Sequence, residues 1–167
     1  CAICVGLQNN IEIEKIIEGI KEFKLTKRRM EIKDGINNSK VINDSYNASY
    51  DSMKAAIEYL GEIKANKKIA VLGDMLELGR YEQELHERVG EEVHKNKIDI
   101  LVTVGERAKY IANKAKELGM NEDKIYVFDT KDEAMEKLEK IIKENDYILV
   151  KASNSMHFDE IVNRIVR

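Results

Sequence analysis

Residues 41–53, with the sequence VINDSYNASYDSM, concentrate polar side chains between a short apolar run and a helical pattern. The polar members of this loop are Asn43, Asp44, Ser45, Tyr46, Asn47 and Ser49. Asn, Asp and Ser satisfy backbone groups locally, so they suit an ordinary turn. The carboxyl end of a buried strand is also the place where α/β sheets bind ligands. Both interpretations, a plain connection and a binding loop, stand at this point.

Short polar segments also follow the other predicted strands, at residues 73–74, 105–106, 129–130 and 151–154. Because the ends of parallel strands meet at one edge of a sheet, we predict that Asp44, Asp74 and Lys151 lie on the same edge. The two carboxylates could share a cation or orient a hydroxyl group, and Lys151 could face an anion. Capping or a salt bridge is the alternative for each of them.

Glycine and histidine are the other residues at this predicted edge that could serve chemistry. Gly73 and Gly105 would let the backbone turn sharply and let a ligand approach, but neither belongs to a phosphate-binding glycine motif. The sequence therefore predicts no phosphate loop in this chain. His86 and His94 fall on a charged helical pattern and are expected to be solvated, whereas His157 follows the last predicted strand and is a candidate site residue.

Strands and helices alternate from Arg29 onward, and they must position these residues. The predicted strands are β-branched or aliphatic runs at residues 30–33, 40–43, 68–72, 98–104, 124–128 and 147–151. Apolar residues at helical spacing fill the segments between them. Near-continuous apolar strands are typical of sheets that are covered on both faces. The pattern predicts an α/β fold with a Rossmann-like, open, mostly parallel sheet of about six strands and helices on both faces.

Polar residues and glycine mark the predicted helix ends. A helix is expected to begin near Asp51, after the polar loop. Thr130 and Glu133 have the spacing of a capping box. Gly119 and Asn145 lie where a C-cap residue is expected.

The composition limits the class of protein. The chain has 167 residues, of which 43% are apolar and 35% are charged, which fits one globular domain with an appendage. The net charge of −3 argues against nucleic acid or an anionic membrane as a partner. No apolar run approaches the roughly 18 residues that span a bilayer, and no signal peptide is visible. We therefore expect a soluble, globular, cytoplasmic protein.

The first residues have a different pattern from the rest. Cys1 and Cys4 form a C-x-x-C pair, but apolar neighbours and the lack of a second pair favour a packed helix over a redox or zinc site. The apolar segment CAICVGL and the stripe that ends at Phe23 predict the last helices of a domain that this chain lacks. The basic residues 24–29, KLTKRR, would link them to the main domain.

Residues 43–53, NDSYNASYDSM, resemble the D-S-Y-N-A-N-P-x-S-M signature of the MurF-type Mur ligases, the UDP-N-acetylmuramoyl-tripeptide–D-alanyl-D-alanine ligases. Other segments match the family in order, namely residues 29–31 (RME), residues 71–79 (VLGDMLELG), His86, residues 89–90 (VG), residues 101–105 (LVTVG) and residues 149–162 (LVKASNSMHFDEIV). The resemblance covers the whole chain. It implies that residues 1–27 are terminal helices of a central ATP-binding domain and that residues 28–167 are the Mur ligase C-terminal domain.

The chain departs from the family pattern in two places. Ser49 and Tyr50 replace Asn-Pro, and the loss of proline removes rigidity from the loop. Near the end the pattern is V-K-G-S-R-x-M-x-M-E, and four of its positions differ: Ala152 for Gly, Asn154 for Arg, Phe158 for Met and Asp159 for Glu. Asparagine cannot replace the planar, bidentate anion donor that arginine provides.

The resemblance implies an ATP-dependent ligase of peptidoglycan synthesis. In the intact enzyme, ATP and Mg²⁺ would convert the terminal carboxylate of the UDP-linked tripeptide to an acyl phosphate. The amine of D-alanyl-D-alanine would attack it, and the tetrahedral intermediate would collapse to an amide and phosphate. The phosphate loop and the metal ligands would belong to the missing N-terminal and central domains, so this chain alone would hold no cofactor, no metal and no catalytic residue.

The family pattern also implies roles for individual residues. Arg29 would reach the ATP phosphates as the domains close, and Asp44 would hold the nucleotide ribose. The acceptor and substrate side would be formed by Ser45, Tyr46, Asn47, Gly73, Asp74, Lys151, Ser153, Asn154 and His157. Closure of a rigid sheet edge over a second domain would exclude water from the acyl phosphate.

Other classes of protein compete with this interpretation. A receiver domain of a response regulator also alternates strands and helices, but it needs a phosphoacceptor Asp where this chain has Gly105. A separate dinucleotide-binding module would need the glycine fingerprint that is absent. MurE-type ligases and folylpolyglutamate synthetases share the expected fold, and the S-Y-N-A run favours the dipeptide-adding type over them.

Overall fold

A central sheet of six strands forms the frame of the protein, which is described here by a computed structural model of residues 2–23 and 26–167. The strands are β1 (Glu31–Asp34), β2 (Lys40–Asn43), β3 (Lys68–Gly73), β4 (Ile100–Val104), β5 (Ile125–Phe128) and β6 (Tyr147–Lys151). Their order is β1-β2-β6-β3-β4-β5, with β1 antiparallel to β2 and all other neighbours parallel. The predicted open, mostly parallel sheet is confirmed.

Helices lie on both faces of this sheet, namely α3 (Tyr50–Glu62), α4 (Glu82–Lys95), α5 (Ala108–Glu117), α6 (Lys131–Ile141) and α7 (Asp159–Ile165). The helices α1 (Ala2–Gln8) and α2 (Ile13–Lys21) precede them in the chain and contribute no side chain to the core on either face. Buried side chains of α3, α4 and α5 form one apolar cluster, and those of α6 and α7 form the other. The expected α/β layering is therefore confirmed.

Alternation along each central strand supplies both clusters. In β6, Leu149 faces the α3–α5 side, whereas Ile148 and Val150 face the α6–α7 side. All three side chains are fully buried. Because each contributes about 1.5–3 kcal/mol on burial, the apolar character of the strand fixes its place in the middle of the sheet.

The helix ends follow the expected chemistry with one exception. Thr130 and Glu133 form the predicted capping box of α6. Gly119, with φ of +102°, follows α5, and its N–H donates to the Lys116 carbonyl as in a Schellman motif. Asn145 is not a C-cap residue, because α6 ends at Ile141 and Asn145 instead adopts a left-handed conformation in the connection to β6.

The two N-terminal helices pack against each other. The side chain of Ile16 in α2 lies so close to Gly6 that a Cβ at residue 6 would be 2.6 Å from it. Their other apolar side chains are exposed, including Val5, Leu7 and Ile17, and so is Phe23, which follows α2. Cys4 lies on a helix, α1, as predicted. Its side chain is exposed, however, so the expectation that it packs inside the protein is wrong. Cys1 and two residues of the predicted linker, Lys24 and Leu25, lie outside the described residues.

Within residues 2–23 and 26–167, no helix combines the length and the apolarity that crossing a membrane would require.

His86 is buried, contrary to the expectation that it would be solvated. Its Nε2 accepts a hydrogen bond from the Met75 N–H at 2.9 Å, and its Nδ1 lies 2.6 Å from the Glu82 carbonyl oxygen. This arrangement needs a neutral ring, with the proton on Nδ1. Burial lowers the pKa of His86, and the Glu82 carbonyl opposes that shift. His86 therefore links α4 to the segment that follows β3, while His94 is exposed as expected.

We predict that His86 makes the protein less stable as the pH falls. Its pKa is lowered in the folded state, so below about 6.5 the unfolded chain binds the proton more readily and the free energy of unfolding decreases. The decrease ends once the pH is below the folded-state pKa. The measurement is urea denaturation at several pH values from 7.5 to 5.5.

Two variants separate this effect from the titration of other groups. His86→Gln should flatten the pH dependence over that range, whereas His94→Gln, on the same helix but exposed, should leave it unchanged. Parallel curves for His86→Gln and the unaltered protein would contradict the assignment.

Candidate functional site

The carboxyl ends of β2, β6 and β3 lie side by side, because these strands are neighbours and run parallel. Asp44 follows β2, Lys151 ends β6, and Asp74 follows β3. The prediction that these residues share one edge of the sheet is confirmed.

Lys151 and Asp44 form a buried ion pair at the centre of this edge. The Lys151 Nζ lies 2.5 Å from the Asp44 Oδ2 and donates a second hydrogen bond, at 2.8 Å, to the Asn47 carbonyl oxygen. The other Asp44 oxygen accepts a hydrogen bond from the Met30 N–H at 3.0 Å. The pair thus joins β2, β6, the loop after β2 and the entry to β1.

The surroundings of Lys151 oppose its charge. The side chain is 2% exposed, and burial lowers the pKa of the ammonium, an effect that Asp44 counteracts. An ion pair at such a position gains little net stability over an apolar pair, but the loss of one partner leaves an uncompensated buried charge. The Lys151–Asp44 ion pair therefore restricts the surrounding loop to a single arrangement.

Ser45 supports the loop from inside. Its hydroxyl donates to the Asn43 Oδ1 at 2.7 Å, and its backbone N–H donates to the same oxygen at 3.2 Å. The residue is buried and lines neither of the clefts described below. Asn43 thus forms the local turn that its residue type favours.

Tyr46 presents an aromatic face to two arginines. The Arg29 guanidinium carbon lies 4.2 Å from the centre of the ring, and that of Arg28 lies 5.7 Å from it. Both distances are within the range of a cation–π contact. Arg29 is exposed, so its donors are available at the surface.

Two clefts meet at this loop and share residues 46–49 as a common wall. The first cleft has a volume of about 400 Å³ and is lined also by Arg29, Asp44 and Lys151. The second cleft has a volume of about 560 Å³ and is lined also by residues 76–78 and 153–155. The residues expected to contact the nucleotide thus lie in the first cleft, whereas Ser153 and Asn154 lie in the second.

Asp74 faces helix α5 and lines neither cleft. Its Oδ1 accepts hydrogen bonds from the backbone N–H groups of Arg107 at 3.0 Å and Ala108 at 2.8 Å. The Arg107 guanidinium lies 3.6 Å from its Oδ2. Gly105 passes so close that a Cβ there would lie 2.5 Å from the Asp74 carboxylate. The capping alternative for Asp74 is the one that the structure shows.

Gly73 serves close packing. A Cβ at this position would lie 2.4 Å from the Phe158 ring and 2.8 Å from the Ala152 Cβ. Ser153 tethers the next segment, because its Oγ accepts from the Leu76 N–H at 2.9 Å and its own N–H donates to the Asp74 carbonyl at 3.0 Å. Its hydroxyl thereby shapes the second cleft.

His157 and Asn154 belong to one short turn but line different clefts. His157 has φ of +51° and lines a separate cleft of about 400 Å³ beside the start of α6, away from Lys151. Asn154 is exposed at the second cleft, and its Oδ1 accepts a hydrogen bond from the Arg28 Nη2 at 3.3 Å. Neither Arg28 nor the Met30 backbone was singled out in the sequence, because no periodicity or motif marks a contact between residues so far apart.

Among the side chains that the structure describes, no three of His, Cys, Asp or Glu are grouped closely enough to hold a metal ion.

Comparison with known proteins identifies the family of this chain. The family described as "Mur ligase, glutamate ligase domain" matches residues 28–154, which is most of the chain. The chain belongs to the Mur ligase family.

Two relatives of this Mur ligase domain carry the same name. The UDP-N-acetylmuramoyl-tripeptide–D-alanyl-D-alanine ligase of Bacillus subtilis (strain 168) is 34% identical over 166 residues, covering 99% of this chain and 36% of that protein. The enzyme of the same name from Rickettsia prowazekii is 35% identical over 152 residues, covering 91% of this chain and 33% of that protein. The chain thus spans about a third of the length of these relatives.

Solved structures agree with the fold of the Mur ligase domain. A MurF from Acinetobacter baumannii superposes with a TM-score of 0.79 at 25% identity, over 95% of this chain and 34% of that one. A MurF ligase from Thermotoga maritima, in complex with ADP, superposes with a TM-score of 0.77 at 23% identity, over 97% of this chain and 35% of that one.

The structure explains how the Mur ligase domain tolerates its departures from the family pattern. Ser49, in place of Asn, caps α3 in a capping box with Ser52. Tyr50, in place of Pro, begins that helix, and its ring lies 4.0 Å from the Arg88 guanidinium carbon. Ala152 is fully buried, so the methyl group that replaces a glycine fills space beside Gly73. The cap and the stacking fix the loop end that proline would otherwise fix.

We predict that the Lys151–Asp44 pair is strongly coupled in this Mur ligase domain. Lys151→Met should destabilise the fold by roughly 3–5 kcal/mol, because it leaves a buried carboxylate without its counter-charge. Adding Asp44→Asn should restore most of that loss. The measurement is urea denaturation of the single and double variants.

Lys109→Met provides the matched control, since Lys109 pairs with Glu106 and Asp129 at the surface. Its loss should be much smaller than that of Lys151→Met. A double variant that is as unstable as the sum of the two single variants would show that the pair is not coupled.

Proposed function

We propose that this domain is the C-terminal part of an ATP-dependent amide ligase that adds D-alanyl-D-alanine to a UDP-N-acetylmuramoyl-tripeptide. This is the activity stated in the names of the two relatives. It is a step of bacterial peptidoglycan synthesis, on which cell shape and cell division depend. The proposed substrates and ATP are cytoplasmic, so we propose that the domain is cytoplasmic too. Another Mur-type or folylpolyglutamate ligase would share the fold but lack the S-Y-N-A run at residues 45–48.

The observation that carries the proposal is the wall shared by the two clefts. Residues 46–49 separate a cleft with cationic and acidic side chains from a polar cleft that reaches Ser153 and Asn154. A ligase must hold a nucleotide and an acceptor amine close together but in separate places. One loop between two clefts provides both places.

The proposed reaction begins with transfer of the ATP γ-phosphoryl group to the terminal carboxylate of the tripeptide. The acceptor amine then attacks the acyl phosphate, and the intermediate collapses to an amide and inorganic phosphate. The acyl phosphate hydrolyses if water reaches it, so closure of this edge over the rest of the enzyme protects it. This domain contributes binding and closure rather than a catalytic residue.

The first cleft fits part of a nucleotide. Arg29 is exposed and positioned on the Tyr46 ring, so it can turn toward phosphate oxygens as the domains close. The Asp44 side chain is 12% exposed, and each of its oxygens has a lone pair beyond the one already used, which allows a hydrogen bond to a ribose hydroxyl. Mg²⁺, which neutralises phosphate charge when bound, would be held by the other domains of the intact enzyme.

Residues 1–27 complete the proposed architecture as the last helices of the central, ATP-binding domain, followed by residues 28–167 as the C-terminal domain. The exposed apolar side chains of α1 and α2, among them Ile13, Ile17 and Ile20, support this division. Such a surface is unusual on a helix pair that faces water alone. A preceding domain of the same polypeptide would bury it.

We predict that Arg29→Ala in the intact enzyme raises the KM for ATP by about tenfold to a hundredfold, as the loss of a charge-assisted hydrogen bond requires. Arg80→Ala is the control, because Arg80 also stacks on a tyrosine, Tyr81, but lies outside both clefts. The assay measures phosphate release that depends on D-alanyl-D-alanine and the UDP-linked tripeptide. No dipeptide-dependent release by the unaltered enzyme would refute the proposed function.

We also predict that the present chain alone folds but catalyses nothing. ATP would contact only a few groups on an open edge, and these cannot offset the roughly 4–15 kcal/mol lost on association. Calorimetric titration with Mg-ATP should therefore show millimolar or weaker binding, and a phosphate-release assay should show no turnover. Micromolar binding or steady release would mean that the domain carries a complete nucleotide site of its own.

A further inference from the structure

Among the residues that the structure describes, those that line the second cleft include no cationic side chain. Its lining residues are Tyr46, Asn47, Ala48, Ser49, Leu76, Glu77, Leu78, Ser153, Asn154 and Ser155. A peptide acceptor that enters this cleft by its amine also carries a terminal carboxylate. Because an unpaired carboxylate is costly to desolvate, it needs a cation at the rim of the cleft.

Arg28 is a cation that lies beside that rim. Its Nη2 donates to the Asn154 Oδ1 at 3.3 Å, and its guanidinium carbon lies 5.7 Å from the Tyr46 ring centre. Asn154 and Tyr46 both line the second cleft. Its Nη1 lies 3.3 Å from the Asp159 Oδ1, which orients the guanidinium from the other side.

The backbone at Arg28 is held in an uncommon conformation that fixes this reach. Its φ is +63°, in the left-handed region that residues other than glycine seldom adopt. The carbonyl of Arg28 accepts from the Tyr46 N–H at 3.1 Å, and its own N–H donates to Glu31 at 3.3 Å. Two tethers therefore hold the residue beside the loop that separates the clefts.

Two residues that Arg28 contacts are positions at which the chain departs from the family pattern. Asn154 stands where the pattern has arginine, and Asp159 stands where it has glutamate. The guanidinium of Arg28 thus lies beside Asn154, the position at which the family pattern has an arginine side chain. Guanidinium has five donors, and its contacts with Asn154 and Asp159 leave others for a ligand.

We propose that Arg28 binds the carboxylate of the incoming acceptor at the second cleft and makes the enzyme select an acceptor with a free carboxyl terminus. The proposal rests on the proposed ligase function, and it adds a specificity-determining residue to it. Arg28 acts by a charge-assisted, planar contact with the carboxylate, while Asp159, Asn154 and Tyr46 hold it in place.

The test compares two acceptors, D-alanyl-D-alanine and D-alanyl-D-alaninamide, in the intact enzyme. We expect the unaltered enzyme to prefer the free carboxylate by about tenfold or more in kcat/KM. Arg28→Ala should raise the KM for the dipeptide by a similar factor, leave that for the amide nearly unchanged, and so remove the preference. The KM for ATP should stay within about twofold, which also shows that the variant is folded.

Two further variants make the result specific. Lys27→Ala removes an adjacent exposed charge and should keep the preference, which excludes a general electrostatic effect. Asn154→Arg added to Arg28→Ala should restore at least part of it. An Arg28→Ala enzyme that still prefers the free carboxylate, or an unaltered enzyme that uses both acceptors equally, would overturn the inference alone. An unaltered enzyme that uses neither acceptor would instead overturn the proposed function.

Discussion

The buried contact between Lys151 and Asp44 is the interaction on which this edge of the sheet depends. It connects the ends of β6 and β2, and through the Asn47 carbonyl and the Met30 N–H it also fixes the loop after β2 and the entry to β1. Any other arrangement of these segments would leave a charge buried without a partner, at a cost of several kcal/mol. The polar loop therefore has one shape although it contains no proline.

This contact exists only when the sheet is complete. The two residues are 107 positions apart, and they meet because β6, the last strand, inserts between β2 and β3. Closing so long a loop costs entropy that the sheet contacts must first offset. Formation of the clefts is therefore part of global folding, and a change in the apolar residues of β6, such as Leu149, would alter the site without touching it.

The sequence predicts the elements well because their patterns are local. Two of the predicted strands, β2 and β6, begin and end at the expected residues, and the parallel arrangement then places Asp44, Asp74 and Lys151 on one edge. The direction of each side chain is not local. Asp74 turns to cap α5, and His86 turns inward because the Met75 N–H needs an acceptor. Such partners come from tertiary packing, which periodicity cannot show.

A rigid wall between two clefts has a physical advantage for an amide ligase. If a nucleotide and an acceptor bind on opposite faces of residues 46–49, one movement of the domain brings both to the rest of the enzyme together. Each reactant is then already oriented relative to the other, so little further entropy is lost on the way to the transition state. The advantage requires that the wall does not deform. The Lys151 ammonium below it, the Ser49–Ser52 capping box at its end and the arginine stacked on Tyr46 each restrict that deformation from a different side.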